Sequence, residues 1–216
     1  MFITAHSGAD GTPDNSLTFV RHALTLPVDA FEIDVHRRAD GVLVIAHDSD
    51  PAGDYDGCPT LREVFALAAA RPALAINCDL KGAGLESAVA ALFAVCGGAN
   101  PLFFSGTVSP AQAPRGVTVL RNAEELVDHF YDRMRAGEEV ACAYAVATRC
   151  IADGITVANV YYRACTDRFR ETLAAHGIGV SVWTVDTLED ALRFQAAGAF
   201  NLTTRAPSAL LPALRP

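Results

Sequence analysis

Short runs of β-branched and aromatic residues alternate along the chain with longer stretches rich in Ala and Leu. Such alternation marks an α/β protein built on a parallel sheet. Eight extended runs stand out, at 2–5, 30–35, 73–79, 102–105, 117–120, 155–160, 179–185 and 200–204. Between them, apolar residues recur at helical spacing over 15–26, 60–70, 84–96, 122–136, 138–152, 166–176 and 187–197, which predicts a helix in each interval. Thr60, Asn122 and Thr187 each precede an acidic first turn, as N-capping residues do. Gly177 and Gly198 each stand between a helix and the next strand, where a left-handed residue ends the helix.

One stretch departs from the alternation. After 30–35 the chain reads HRRADGVLVIAHD, two alternating runs around Asp40-Gly41, a strong hairpin signal. A two-residue turn there pairs Ala39 with Val42 and, counting back, sets Asp34 opposite His47. Eight parallel strands with interleaved helices in a chain of 216 residues predict a (β/α)8 TIM barrel, with an antiparallel hairpin excursion after the second strand and a single domain over 1–216.

Composition narrows the function. With 51% hydrophobic residues the chain can bury one large core. Seventeen Lys and Arg against 25 Asp and Glu give a net charge of -8, so no basic stripe is available for a nucleic-acid backbone. The opening MFITAHSGADG has neither a basic n-region nor an apolar h-region, so no signal peptide is expected. Charged residues punctuate every apolar run, so no transmembrane segment is expected either. The six cysteines form no CxxC pair, and four sit in Ala- and Val-rich runs, as buried reduced thiols in a cytoplasmic protein would.

In such a barrel the site lies at the carboxyl ends of the strands, and several polar residues fall there. His6 ends the first run; Glu32 and Asp34, two apart, point to the same side of the second. Two close carboxylates repel unless a cation lies between them. In Asn77-Cys78-Asp79-Leu80-Lys81, alternation turns Asn77, Asp79 and Lys81 one way and Cys78 and Leu80 the other, so Asp79 completes a three-carboxylate set. All-oxygen ligation suits Mg²⁺ or Ca²⁺ better than Zn²⁺. Lys81 offers a positive charge to an anionic substrate. Two histidines beside a metal suit phosphoryl chemistry: one imidazole, His6 or His47, takes a proton from the attacking group and the other gives one to the leaving alkoxide.

With His6-Ser7-Gly8, Pro13-Asp14-Asn15, Glu32-Ile33-Asp34, Asp40-Gly41, His47-Asp48, Asp79-Leu80-Lys81 and Trp183-Thr184-Val185 in this order, the chain resembles the glycerophosphodiester phosphodiesterase family, related to the sphingomyelinase D-like barrel phosphodiesterases. The resemblance is dense over 1–81 and thinner beyond. It implies a small-molecule phosphodiester substrate split to an alcohol and a phosphomonoester, His6 and His47 as acid and base, and metal ligation by Glu32, Asp34 and Asp79. It also implies phosphate contact by Lys81 and a substrate wall at Trp183. Where the family has Arg, Glu and Glu, this chain has Ser7, Asp14 and Asp79. Ser7 cannot reproduce a bidentate guanidinium; with Asn15, Asn77 and His36 it is a candidate for binding a different head group. Two other outcomes stay open: an intramolecular hydroxyl attacking to give a cyclic phosphate, and a catalytically weak barrel that binds a phosphorylated ligand or partner.

Overall fold

Every strand of the sheet obeys a two-residue alternation, and that alternation separates two cores. The computed structural model describes residues 1–215. Its strands are β1 (Phe2–Ala5), β2 (Ala30–Arg37), β3 (Leu43–Ile45), β4 (Ala75–Leu80), β5 (Leu102–Gly106), β6 (Thr118–Val119), β7 (Arg121–Asn122), β8 (Val157–Tyr161), β9 (Gly179–Trp183) and β10 (Asn201–Thr204). Its helices are α1 (Leu17–Ala23), α2 (Leu61–Ala68), α3 (Glu86–Val95), α4 (Phe130–Arg135), α5 (Glu139–Ala152), α6 (Asp167–Ala175), α7 (Leu188–Ala196) and α8 (Pro207–Leu214).

Nine parallel strands run in the order β6-β5-β4-β2-β1-β10-β9-β8-β7, with β3 antiparallel on β2. The two ends of that path, β6 and β7, are separated in the chain by Leu120 alone. Residues 118–119 pair with β5 and 121–122 pair with β8, so one short segment spans the gap and the sheet is a nearly closed barrel. All eight extended runs read from the sequence are strands. They count as nine because 117–120 is displaced and divided between two neighbours.

Phe31, Ile33 and Val35 on β2 and Ile76, Cys78 and Leu80 on β4 face outward into the large core under the helices. The intervening residues face the barrel interior, where Ala30, Ala75, Phe103, Leu120 and Val157 form a smaller plug at the amino ends of the strands, with Phe200 against it. Above the plug lies a polar layer: Thr4 Oγ1 donates to Asn201 Oδ1 (2.7 Å), and Asn201 Nδ2 donates to Ser181 Oγ (3.0 Å). The interior thus grows more polar toward the carboxyl ends, which is what leaves room there for a site.

The caps at Thr60 and Thr187 form as expected, and Thr60 with Glu63 makes a reciprocal capping box. Asn122 makes no capping bond; its Oδ1 accepts instead from Asn159 Nδ2 (2.9 Å). The expected helix 122–136 accordingly breaks into a 3-10 turn, Ala123–Glu125, and α4. α8 was not anticipated, because Pro207 and Pro212 obscure its periodicity. Among the described residues, no helix is long and apolar enough to cross a membrane.

The hairpin register is one residue off its expected value. His36 lies opposite Val44 and Arg37 opposite Leu43, so Ala46, not His47, faces Asp34, and the Ala46 amide donates to the Asp34 carbonyl (3.1 Å). The turn holds three residues rather than two: Arg38 N donates to Val42 O, and Gly41, at φ 88, donates to Arg38 O. A three-residue loop ending in a left-handed glycine is a common hairpin closure, and Asp-Gly alone does not distinguish it from the two-residue form.

Candidate active site

Inward positions at the carboxyl ends of the strands line a cavity of about 290 Å³, whose walls include His6, His47, Glu32, Asp34, Asp79 and Lys81. The register of β2 on β4 sets Asp34 directly beside Asp79 and Glu32 beside Asn77. One oxygen from each of Glu32, Asp34 and Asp79 lies within 4.8 Å of the others, close enough to hold a single metal ion.

Each carboxylate is held from behind. Ser7 N donates to Glu32 Oε2 (3.1 Å). Asn15 grips Asp34 twice: its Nδ2 donates to Asp34 Oδ2 (2.6 Å) and its Oδ1 accepts from Asp34 N (2.9 Å). Ser105 Oγ donates to Asp79 Oδ1 (2.7 Å) and accepts from Asn77 Nδ2 (3.1 Å). Lys81 Nζ bridges Asp34 Oδ1 (2.7 Å) and Asp79 Oδ2 (2.6 Å). Burial, then the charges of Asp34 and Asp79, push the Glu32 carboxyl well above its usual range. Burial alone would lower the Lys81 ammonium, but Asp79 and Asp34 outweigh it and raise it. One ammonium cannot balance three close carboxylates, and Asn77 Oδ1 is buried without a partner among the described residues. This donor set, carboxylate and amide oxygens with an excess of negative charge, fits a hard divalent cation.

His6 and His47 reach the cavity by different routes. His6 directly follows β1; its Nδ1 lies 2.8 Å from Ser7 O and 3.8 Å from Glu32 Oε2. A carbonyl only accepts, so Nδ1 carries the proton and Nε2 keeps a free lone pair. Burial lowers the His6 pKa, the Ser7 bond opposes that, and the Arg205 guanidinium adds to the lowering. His47 lies beyond the end of β3, so the chain leaving the hairpin, not cross-strand pairing, brings it to the rim. There its Nδ1 contacts Asp48 Oδ1 (2.8 Å).

The other expected site residues divide into two groups. Asn77, Lys81 and Trp183 line the cavity. Ser7 and Asn15 lie behind the carboxylates, Ser7 Oγ accepting from Asn15 N (2.6 Å). Asp14 turns toward Arg205, whose Nη1 donates to Asp14 Oδ1 (2.7 Å). His36 is buried against Tyr55, with Nδ1 2.7 Å from the phenol oxygen, and borders a separate depression with Lys81. Sequence reasoning missed Ser105, Asn122, Glu124, Asn159 and Thr203, which complete the wall. Their signal was a lone polar residue inside or just after an apolar run, as in LFFS and VANV.

Comparison with known proteins follows this geometry. Residues 6–68 match the model of the glycerophosphoryl diester phosphodiesterase family. No curated protein sequence matches. Among solved structures, the chain is similar to an Oleispira antarctica phosphodiesterase in complex with the product sn-glycerol-3-phosphate (TM-score 0.79, 19% identity, 100% of this chain and 97% of that one). It is also similar to glycerophosphodiester phosphodiesterases of Parabacteroides distasonis (0.76, 18%, 99% and 96%) and Thermotoga maritima (0.75, 18%, 99% and 98%). At these identities the likeness is one of fold.

Proposed function

We propose that the chain, whose residues 6–68 match the glycerophosphoryl diester phosphodiesterase family, is a phosphoric diester hydrolase of that family and hydrolyses glycerophosphodiester-type substrates to an alcohol and a phosphomonoester. The observation that carries this reading is that both imidazoles and all three carboxylates border one cavity. In the proposed reaction water attacks phosphorus as the bond to the alcohol oxygen breaks. His6 Nε2 takes the water proton, a role that its lowered pKa and its Nδ1 contact with Ser7 O favour. His47, oriented by Asp48, gives a proton to the departing alkoxide. Glu32, Asp34 and Asp79 would hold Mg²⁺ or Ca²⁺, which when bound offsets charge on the phosphate oxygens. Lys81 contacts the phosphate, Asn77 turns its free Oδ1 toward the cation, and Trp183 walls the alcohol side.

In this reading Ser7 and Asn15 orient the metal ligands rather than touch substrate. The chain works as one barrel domain over residues 1–216, and a cytoplasmic setting suits its six free cysteines.

Assay of the purified protein on glycerophosphodiesters tests the reading. Chelation should abolish turnover, and His6→Ala or His47→Ala should each lower kcat by roughly 10²- to 10⁴-fold. Turnover that survives chelation and both substitutions would sink the mechanism. Cation-dependent thermal stabilisation without turnover on a panel of diesters would mark a binding protein instead.

A further inference from the structure

One side of the cavity wall has no part in the reaction proposed above. Asn122 on β7, Glu124 just after it and Asn159 on β8 line the cavity. In the ring order they stand across from β2, which carries Glu32 and Asp34. Asn159 Nδ2 donates to Asn122 Oδ1 (2.9 Å), which fixes both amides and leaves their other polar atoms uncommitted to each other. Glu124 Oε2 is buried with no hydrogen-bond partner among the described residues. Burial, opposed by the residue's own backbone N–H and then by the Tyr131 hydroxyl, raises the Glu124 carboxyl, and the charge of Asp79 adds to the rise. The Trp183 ring borders the same cavity and packs on Tyr161, with ring centroids 5.7 Å apart. Trp183 Nε1 is also without a partner among the described residues.

A carboxylate with one oxygen left unpartnered, in a cavity that an aromatic ring also borders, is complementary to a cation, because carboxylate charge and ring quadrupole both attract one. Charge balance points the same way. Glu32, Asp34, Asp79 and Glu124 line the cavity against Lys81, its one lysine or arginine among the described residues. A divalent cation together with a singly charged phosphodiester would leave negative charge in excess.

We propose that Glu124, with Asn122, Asn159 and the Trp183 ring that Tyr161 backs, forms a subsite for an ammonium group borne by one alcohol of the phosphodiester. This rests on the reading of the cavity as a phosphodiester site. The subsite makes the protein selective for cationic diesters over neutral ones, through the Glu124 carboxylate first and the Trp183 ring second.

The test compares kcat/KM for glycerophosphoethanolamine and glycerophosphocholine with that for glycerophosphoglycerol, in the wild type and in Glu124→Gln. Thermal melting should verify that the variant folds. The wild type should favour both ammonium diesters, and Glu124→Gln should reduce that preference about tenfold. A larger loss with Trp183→Leu for the choline diester than for the ethanolamine diester would assign the quaternary ammonium to the ring face. A wild type without preference, or a Glu124→Gln variant that slows all three diesters equally, would overturn the subsite. If the wild type turns over none of them, the phosphodiesterase reading fails, and calorimetric binding of the same diesters then decides the subsite by the same ratio.

Discussion

Asn15 sits at φ 45, a left-handed conformation that asparagine tolerates better than most residues, and from there its amide reaches both the side chain and the backbone of Asp34. In the proposed metal site, a carboxylate held this way is ready for a cation before one arrives. Removing such a partner commonly costs 10- to 100-fold in metal affinity. Asn15→Gly keeps the backbone conformation and deletes the amide, so calorimetric titration with Mg²⁺ or Ca²⁺ should show a loss of about that size. Unchanged affinity would mean that Asp34 needs no such support. The role of Asn15 was half legible in the sequence. Its place in Pro13-Asp14-Asn15 marked it for the site, but a residue that touches substrate and one that steadies a ligand look alike until the 2.6 Å bond to Asp34 is seen. Asp14, its neighbour in the same motif, turns away to Arg205, and no local pattern relates two residues 191 positions apart.

At the scale of elements, alternation along the strands was the most readable feature, because one buried face per side leaves each residue little choice. It set Glu32, Asp34, Asn77, Asp79 and Lys81 inward correctly. Hairpin register was less readable, since it depends on how many residues close the turn, and Asp40-Gly41 serves turns of two lengths. The far wall was least readable: Glu124 follows a two-residue strand, and Asn122 looked like a cap. Strand ends also show where the scaffold is tight. A Cβ on Gly106, at φ 75, would lie 2.5 Å from Leu80 O and 3.0 Å from Asp79 Oδ1, whereas one on Gly41 meets nothing within 4 Å. Gly41→Ala should cost only the strain of the left-handed conformation, about 1–2 kcal/mol. Gly106→Ala should cost more and also weaken cation binding, because β4 must move. Chemical denaturation and cation titration of the two variants give the comparison; equal losses in both would show that the β4–β5 contact is slack.

Across the whole molecule, the first and last parts of the chain close the barrel together. β1 pairs with β10, and the loop that follows His6 is tied to the segment entering α8: Ser208 Oγ donates to Asp10 Oδ2 (2.7 Å) and Ser208 N to Asp10 Oδ1 (3.2 Å), while His22 Nε2 lies 2.8 Å from Asp10 Oδ2. Burial would raise the Asp10 carboxyl, but these bonds prevail and lower it. A carboxyl lowered on folding adds stability in full above its unfolded value near 3.9, and that stability is lost as pH falls through the folded value. Partial exposure limits the gain to about 1 kcal/mol. Asp10→Asn should therefore melt below the wild type at pH 6, with the gap narrowing toward pH 3. A gap that stays constant over that range would remove the carboxylate from the account.

The proposed reaction needs a cation between Glu32, Asp34 and Asp79 and an imidazole on either side of the substrate. The most direct test is a crystal structure grown with Mn²⁺, a stand-in for Mg²⁺ that scatters anomalously. One anomalous peak should lie among those three carboxylates, with His6 and His47 both facing the space above it. An active protein that shows no peak there, or in which either ring turns away from that space, would contradict the account.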